Sequence, residues 1–144
     1  MKRRHIIGIV VIVLILIISF FPKSIDNAVV IKTDKTTYAS TETIKLTFSL
    51  KNTGKVRGAE AAQVYISDVK SSVLRPLKEL KAFSKIMVEA GESKEVEINL
   101  PVKDWAFFND KTQTWDIEPG KFSIMVGSSS RDIRQTLPVS VVTN

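Results

Sequence analysis

An all-β antiparallel sandwich of about seven strands, preceded by one apolar helix, is the architecture this sequence predicts. Three observations predict it. Short segments alternate apolar and polar residues with a period of two. Turn-forming residues separate those segments, and no stretch beyond residue 21 keeps a helical period.

The helix comes first. Residues 6–21, IIGIVVIVLILIISFF, contain no charge and follow the basic head Lys2-Arg3-Arg4-His5. As a helix these 16 residues reach roughly 24 Å, somewhat short of a hydrocarbon core of about 30 Å. His5 and Lys23 at the two ends can snorkel to the interfaces, which makes spanning feasible. A cleaved secretory signal needs small residues at its exit, and Ser19-Phe20-Phe21-Pro22-Lys23 is bulky. An uncleaved signal-anchor is therefore preferred, a secreted domain being the outcome if cleavage occurs. The basic head keeps the N-terminus cytoplasmic and puts the rest outside the cell membrane. The expected division is residues 1–5 as head, 6–21 as transmembrane helix, 22–28 as tether and 29–144 as the β-sandwich.

The strands follow in order. Residues 29–32 form the first. Ile44, Leu46, Phe48 and Leu50 alternate with Lys45, Thr47, Ser49 and Lys51, a strand with one buried face. Asn52-Thr53-Gly54-Lys55 turns it, with a second kink at Gly58. Ala62, Val64 and Ile66 alternate with Gln63, Tyr65 and Ser67. A less regular strand over 81–88 has Phe83, Ile86 and Val88 as apolar positions, and Ala90-Gly91-Glu92 turns it. Val96, Ile98 and Leu100 come next. Residues 102–108 (VKDWAFF) do not alternate and are expected to cross between sheets as a short helical turn. Pro119-Gly120 predicts a type II turn, with Gly supplying positive φ. Phe122, Ile124 and Val126, then Leu137, Val139 and Val141, complete the set. Seven such strands argue for an immunoglobulin-like sandwich.

Composition excludes several chemistries. There is no cysteine, so thiol catalysis, disulfides and cysteine-based metal sites are ruled out. The formal charge of +6 includes Lys2, Arg3 and Arg4; the remainder carries 18 basic against 15 acidic groups, or +3. A mildly basic, dispersed surface is no nucleic-acid footprint. The single histidine is His5, so Ser128-Ser129-Ser130 cannot belong to a Ser-His-Asp triad. Gly127 and those serines lack the Gly-Lys-Ser/Thr ending of a phosphate loop.

Four blocks carry a family resemblance. They are Leu50-Lys51-Asn52-Thr53-Gly54 with Gln63-Val64-Tyr65-Ile66-Ser67-Asp68, Arg75-Pro76-Leu77-Lys78-Glu79-Leu80-Lys81-Ala82-Phe83, Ala90-Gly91-Glu92-Ser93, and Val126-Gly127-Ser128-Ser129-Ser130-Arg131-Asp132-Ile133. In this order and spacing, from Ile44 to the end, the chain resembles the fibronectin type III-like domain at the C-terminus of family 3 glycoside hydrolases. Ala82 stands where that family usually has glycine. The resemblance implies a fibronectin type III-like fold and a non-catalytic packing role, the nucleophile and acid/base of those enzymes lying in preceding domains. It also implies that Trp105 and Trp115 are structural positions.

The candidate interaction residues are Arg75, Trp105, Trp115, Arg131 and Asp132; no catalytic, cofactor-binding or metal-binding residue is expected. Trp105, Phe107, Phe108 and Trp115 suit core packing better than a sugar-stacking platform. Arg75 suits a backbone-gripping structural role, with Asp132 capping or pairing locally. Asp104, Asp110, Asp116 and Glu118 are spaced too widely for a calcium loop and read as solvated turn acids. The expected function is a membrane-anchored, extracytoplasmic accessory domain that docks on a glycoside hydrolase or another surface protein. The alternatives are a carbohydrate-binding module that holds a polysaccharide on exposed aromatics, a subunit lending residues 69–77 to a glycosidase active site, and a spacer.

Overall fold

The computed structural model describes residues 30–143. The expected transmembrane helix, head and tether, and Val29 of the first strand, lie outside the described residues. Ten strands and one short 3-10 turn make up the rest: β1 (Ile31–Thr33), β2 (Thr37–Ala39), β3 (Thr43–Lys51), β4 (Gly58–Asp68), β5 (Glu79–Val88), β6 (Ser93–Pro101), the turn Val102–Trp105, β7 (Phe107–Asn109), β8 (Thr114–Asp116), β9 (Gly120–Ser129) and β10 (Asp132–Val142). Two sheets face each other. One has the order β1-β3-β6, the other β2-β10-β9-β4-β5, and β7-β8 forms a separate hairpin. All pairings are antiparallel except β2 with β10.

The alternation seen in the sequence explains the core. Ile44, Leu46, Phe48 and Leu50 of β3 point inward against Ala62, Val64 and Ile66 of β4, Phe122, Ile124 and Val126 of β9, and Val139 and Val141 of β10. Each is nearly inaccessible to solvent, as a period of two requires when one face of a sheet meets another. The first strand divides: β1 pairs with β3 in one sheet, and β2 crosses to run beside β10 in the other. Tyr38 of β2 is fully buried, and its hydroxyl donates to Asp34 Oδ1 at 2.8 Å.

Three expectations need correction. The strand count rises from about seven to ten because β2, β7 and β8 have only three residues each, too few to show a period. Phe83 does not join the core. It pairs with Gln63 on the outer face of the second sheet and is 72% exposed. A register shift between Val64 and Tyr65, opposite Ala82 and Leu80, interrupts the alternation of β5. Pro119-Gly120 is not a type II turn, since Gly91 (φ 75°) is the glycine with positive φ among the described residues. Residues 117–119 instead run into β9 without a turn.

Strand direction gives the sandwich two distinct ends. The chain enters at β1, whose Ile31 lies level with Phe48 near the end of β3. The near end therefore carries loop 52–57 and the turn at 89–92, while the β9–β10 tip at 129–132 reaches loop 69–78, the Ser130 carbonyl accepting from Lys78 Nζ. The far end carries loop 69–78, the 3-10 turn and the β7–β8 hairpin, with Val69 N–H donating to Lys121 O at 3.0 Å.

Candidate interaction surface

The predicted site residues separate into buried and exposed groups. Trp105 is buried completely by the 3-10 turn and packs against Phe122, with ring centroids 5.3 Å apart and an interplanar angle of 50°. Arg75 is also inside, its side chain 7% exposed. Its Nε and Nη2 donate to Glu79 Oε1 at 2.9 and 2.7 Å, and Nη2 also donates to the Trp105 carbonyl at 2.9 Å. Asp68 completes an ion pair at 3.6 Å, beyond hydrogen-bonding distance, and Arg75 Nη1 and Asp68 Oδ2 have no hydrogen-bond partner. The guanidinium lies 5.6 Å from the Phe107 ring centroid. Arg75 thus locks loop 69–78 to the crossover, and neither it nor Trp105 is free to grip a partner.

Burial works against ionisation of Glu79, but hydrogen bonds from Lys81 and Arg75 outweigh it and hold the carboxyl below its ordinary value. Glu118 is lowered by the Ser72 hydroxyl and backbone N–H. The Ser72 N–H reaches Glu118 Oε2 at 2.9 Å, and the hydroxyl donates to Oε1, so the loop is tied at two points. Asp116 accepts from Asn109 Nδ2 and the Thr114 hydroxyl, both at 2.8 Å, which lowers its pKa and closes the β7–β8 hairpin. These acids serve turns. No group of three or more metal-ligating side chains occurs among the described residues.

Arg131 and Asp132 sit at the β9–β10 tip, and their side chains do not pair with each other. Asp132 Oδ2 accepts from Arg134 Nη2 at 2.6 Å and from the Ser128 hydroxyl at 2.5 Å, which lowers its pKa, whereas Arg131 is exposed.

Trp115 lies with the groove at the far end. It is 71% exposed and meets half-exposed Phe108 edge-on, at 5.7 Å and 68°. Between this hairpin and loop 69–78 runs an open groove of about 690 Å³, lined by Leu74, Arg75, Phe107, Phe108 and Trp115 among others. Leu74 is fully exposed on its lip, with Leu77 exposed further along the loop. Sequence reasoning grouped Phe108 with Trp115 but assigned both to packing, which their exposure corrects, and it missed Leu74. The only available signal was two leucines in a short polar loop. Tyr65 is nearly buried, and the two exposed aromatics are not coplanar, so no flat aromatic face is formed.

With this geometry in view, comparisons place the domain. Residues 60–130 match the fibronectin type III-like domain family. The chain is 43% identical over 103 residues to thermostable β-glucosidase B of Acetivibrio thermocellus, covering 72% of this chain and 14% of that protein. It is 48% identical over 94 residues to β-glucosidase BoGH3A of Bacteroides ovatus, covering 65% of this chain and 13% of that one. A crystal structure of a β-glucosidase from Listeria innocua superimposes with a TM-score of 0.71 at 33% identity, covering 86% of this chain and 17% of that chain. The sequence thus spans about one seventh of the curated relatives it matches. Residues 60–130 are thus a fibronectin type III-like domain, similar to the part of family 3 β-glucosidases that this sequence matches.

Proposed function

We propose that this chain is a non-catalytic accessory domain, held at the outer face of the cell membrane by residues 6–21, that docks on a glycoside hydrolase body through its far-end groove. The observation that carries this is the exposed apolar cluster of Leu74, Phe108 and Trp115, set on a loop and hairpin that Arg75 and Glu118 hold rigid. Rigid exposed aromatics beside a concavity are the usual anchors of a protein interface. The homologous domain in the relatives is continuous with a much longer glycosidase chain, which supports a glycosidase as the partner. A carbohydrate-binding reading is weaker here because Phe108 meets Trp115 edge-on, leaving no platform for a sugar ring.

Co-purification tests it. The full chain, extracted in mild detergent, is expected to carry β-glucosidase activity through affinity purification from its host. Trp115→Ala and Leu74→Asp should each remove at least nine-tenths of that activity without lowering the melting temperature. Unchanged co-purification by either variant would reject the groove, and absence of activity with the folded wild-type chain would reject a glycosidase partner. Retention on immobilised polysaccharide that Trp115→Ala abolishes would favour the carbohydrate-binding alternative.

A further inference from the structure

The five-stranded sheet ends on β5, a strand of ten residues with no neighbour on its outer side among the described residues. The register fixes which way its main-chain groups point. Val69 N–H donates to Lys121 O, continuing the β4–β9 ladder one step beyond Asp68 and Phe122. Opposed residues in an antiparallel ladder alternate between bonded and non-bonded pairs. The odd-numbered residues of β4 therefore bond β9, and its even-numbered residues bond β5. Gly58, Glu60, Ala62 and Val64 accordingly bond Val88, Ile86, Ser84 and Ala82. Phe83, Lys85 and Met87 are left with N–H and C=O groups aimed away from β4. An independent contact agrees: the Met87 carbonyl accepts from Lys94 Nζ of β6, in the other sheet, at 2.7 Å. The main-chain groups of Phe83 and Lys85 take no partner among the described residues.

This edge lacks the usual guards. β5 contains no proline, and Ala82, Ser84, Ile86 and Val88, its inward positions, carry no charge. The bulge at Lys81 lies outside that stretch. Leu80 and Met87 are 51% and 41% exposed beside Phe83, an apolar row on an open edge.

A strand that adds here must set its own free ladder groups against Phe83 and Lys85, and β5 itself does so. Two copies laid antiparallel about Ser84 place Phe83 of each opposite Lys85 of the other. Those two pairs exchange four main-chain hydrogen bonds. Ala82 then meets Ile86 on the inner face, and each Lys85 lies beside a Phe83 ring on the outer one. Charge selects this register over its neighbours. Centring on Phe83 would set Lys81 against Lys85, and centring on Lys85 would set that lysine against itself.

We infer that β5 joins a second copy of this chain through its open edge, in an antiparallel seam centred on Ser84. The two-fold axis is perpendicular to the sheets, so both chains enter on the side of the three-stranded sheet, which holds β1. The seam does not depend on what docks at the far end.

The test uses the full chain in mild detergent, and its lack of cysteine keeps cross-linking clean. Ser84→Cys is expected to oxidise to a disulfide-linked dimer, since the two positions form a non-bonded pair with Cα atoms about 4.5 Å apart. Lys85→Cys should link roughly tenfold more slowly, although position 85 is the more exposed. Its two copies lie beyond the roughly 7 Å that a disulfide can span. Lys85→Pro removes a donor from the open edge and none from the β4 ladder. It should convert the dimer to monomer in analytical ultracentrifugation while the melting temperature stays close to wild type. A monomeric wild-type chain would overturn the seam. So would faster linking at residue 85, or a dimer that survives Lys85→Pro. A large fall in the melting temperature of Lys85→Pro would show that its N–H bonds β4, which would overturn the ladder assignment. Linking of Ser84→Cys to another host protein in native membranes, with no self-linked product, would give the edge to a foreign strand and overturn the second copy.

Discussion

Arg75 shows how one side chain can organise a loop. It lies in the ten-residue segment between β4 and β5, yet its guanidinium is enclosed and spans Glu79, Asp68 and the Trp105 carbonyl. Removing one partner of a buried ion pair leaves the others desolvated and unpaired, which typically costs about 3–5 kcal/mol. Glu79 retains some solvent contact and its Lys81 partner, so the lower end of that range applies. Arg75→Ala is therefore expected to destabilise the domain by about 3 kcal/mol, measured by equilibrium urea unfolding. Arg75→Lys should recover only a minor part, because a lysine ammonium lacks the planar fork that reaches Glu79 and the Trp105 carbonyl together. A loss below 1 kcal/mol would show that the cluster is not a structural lock. At the other extreme stands Trp115, whose ring touches little beyond Phe108; its removal should affect binding and leave stability nearly unchanged.

At the scale of elements, the β9–β10 hairpin is the most tightly constrained. A Cβ on Gly127 would lie 2.1 Å from the Asp132 carbonyl oxygen and 2.9 Å from Ile133 Cα. Both obstacles are backbone, so relief requires the hairpin to shift at the point where its register already slips, between Asp132 and Ile133. Gly127→Ala should cost about 2–3 kcal/mol. Gly91 gives a useful contrast. A Cβ there meets nothing, but φ is +75°, so Gly91→Ala should cost about 1–2 kcal/mol through backbone strain alone. Thermal unfolding of the two variants is expected to rank Gly127→Ala as the more damaging, and the reverse order would refute the steric argument. Loop 52–57 depends on Asn52, whose side chain joins β3, the loop and the end of β5.

For the whole molecule, pH is the informative variable. The carboxyls of Glu79, Glu118, Asp116 and Asp132 are all held below their ordinary values by hydrogen bonds or cations in the folded state. The unfolded chain then takes up protons at a higher pH than the folded one. The stabilisation from these groups is complete above about pH 4.5, the ordinary glutamate value. It diminishes as pH falls below that and is gone once the folded groups themselves protonate. The melting temperature should therefore be flat from pH 7 to about 5 and drop steeply below 4.5. Glu79→Gln should lower the neutral plateau and shallow the acid slope. A melting temperature that rose on acidification through this window would contradict the assigned directions. The polarity of the sandwich belongs to the same scale: the near end carries the aliphatic tip of Val56, the far end an aromatic groove.

The strands whose alternation runs over four or more positions, such as Ile44 to Leu50 and Phe122 to Val126, were legible in the sequence. One buried face imposes a period of two that no other structure produces. The motif blocks likewise declared the domain family, because they recur at fixed spacing along the chain. Three-residue strands were not legible, since β2, β7 and β8 are too short to carry a period and exist through their neighbours. Phe83 and Pro119-Gly120 were misread for a related reason. A bulge in β5 and an extended connection into β9 are settled by pairing across the sheet, which local propensity does not contain. The candidate surface needed the fold most of all. Arg75 and Trp115 look equally available along the chain, and only tertiary packing encloses one and leaves the other open, because burial depends on residues distant in sequence.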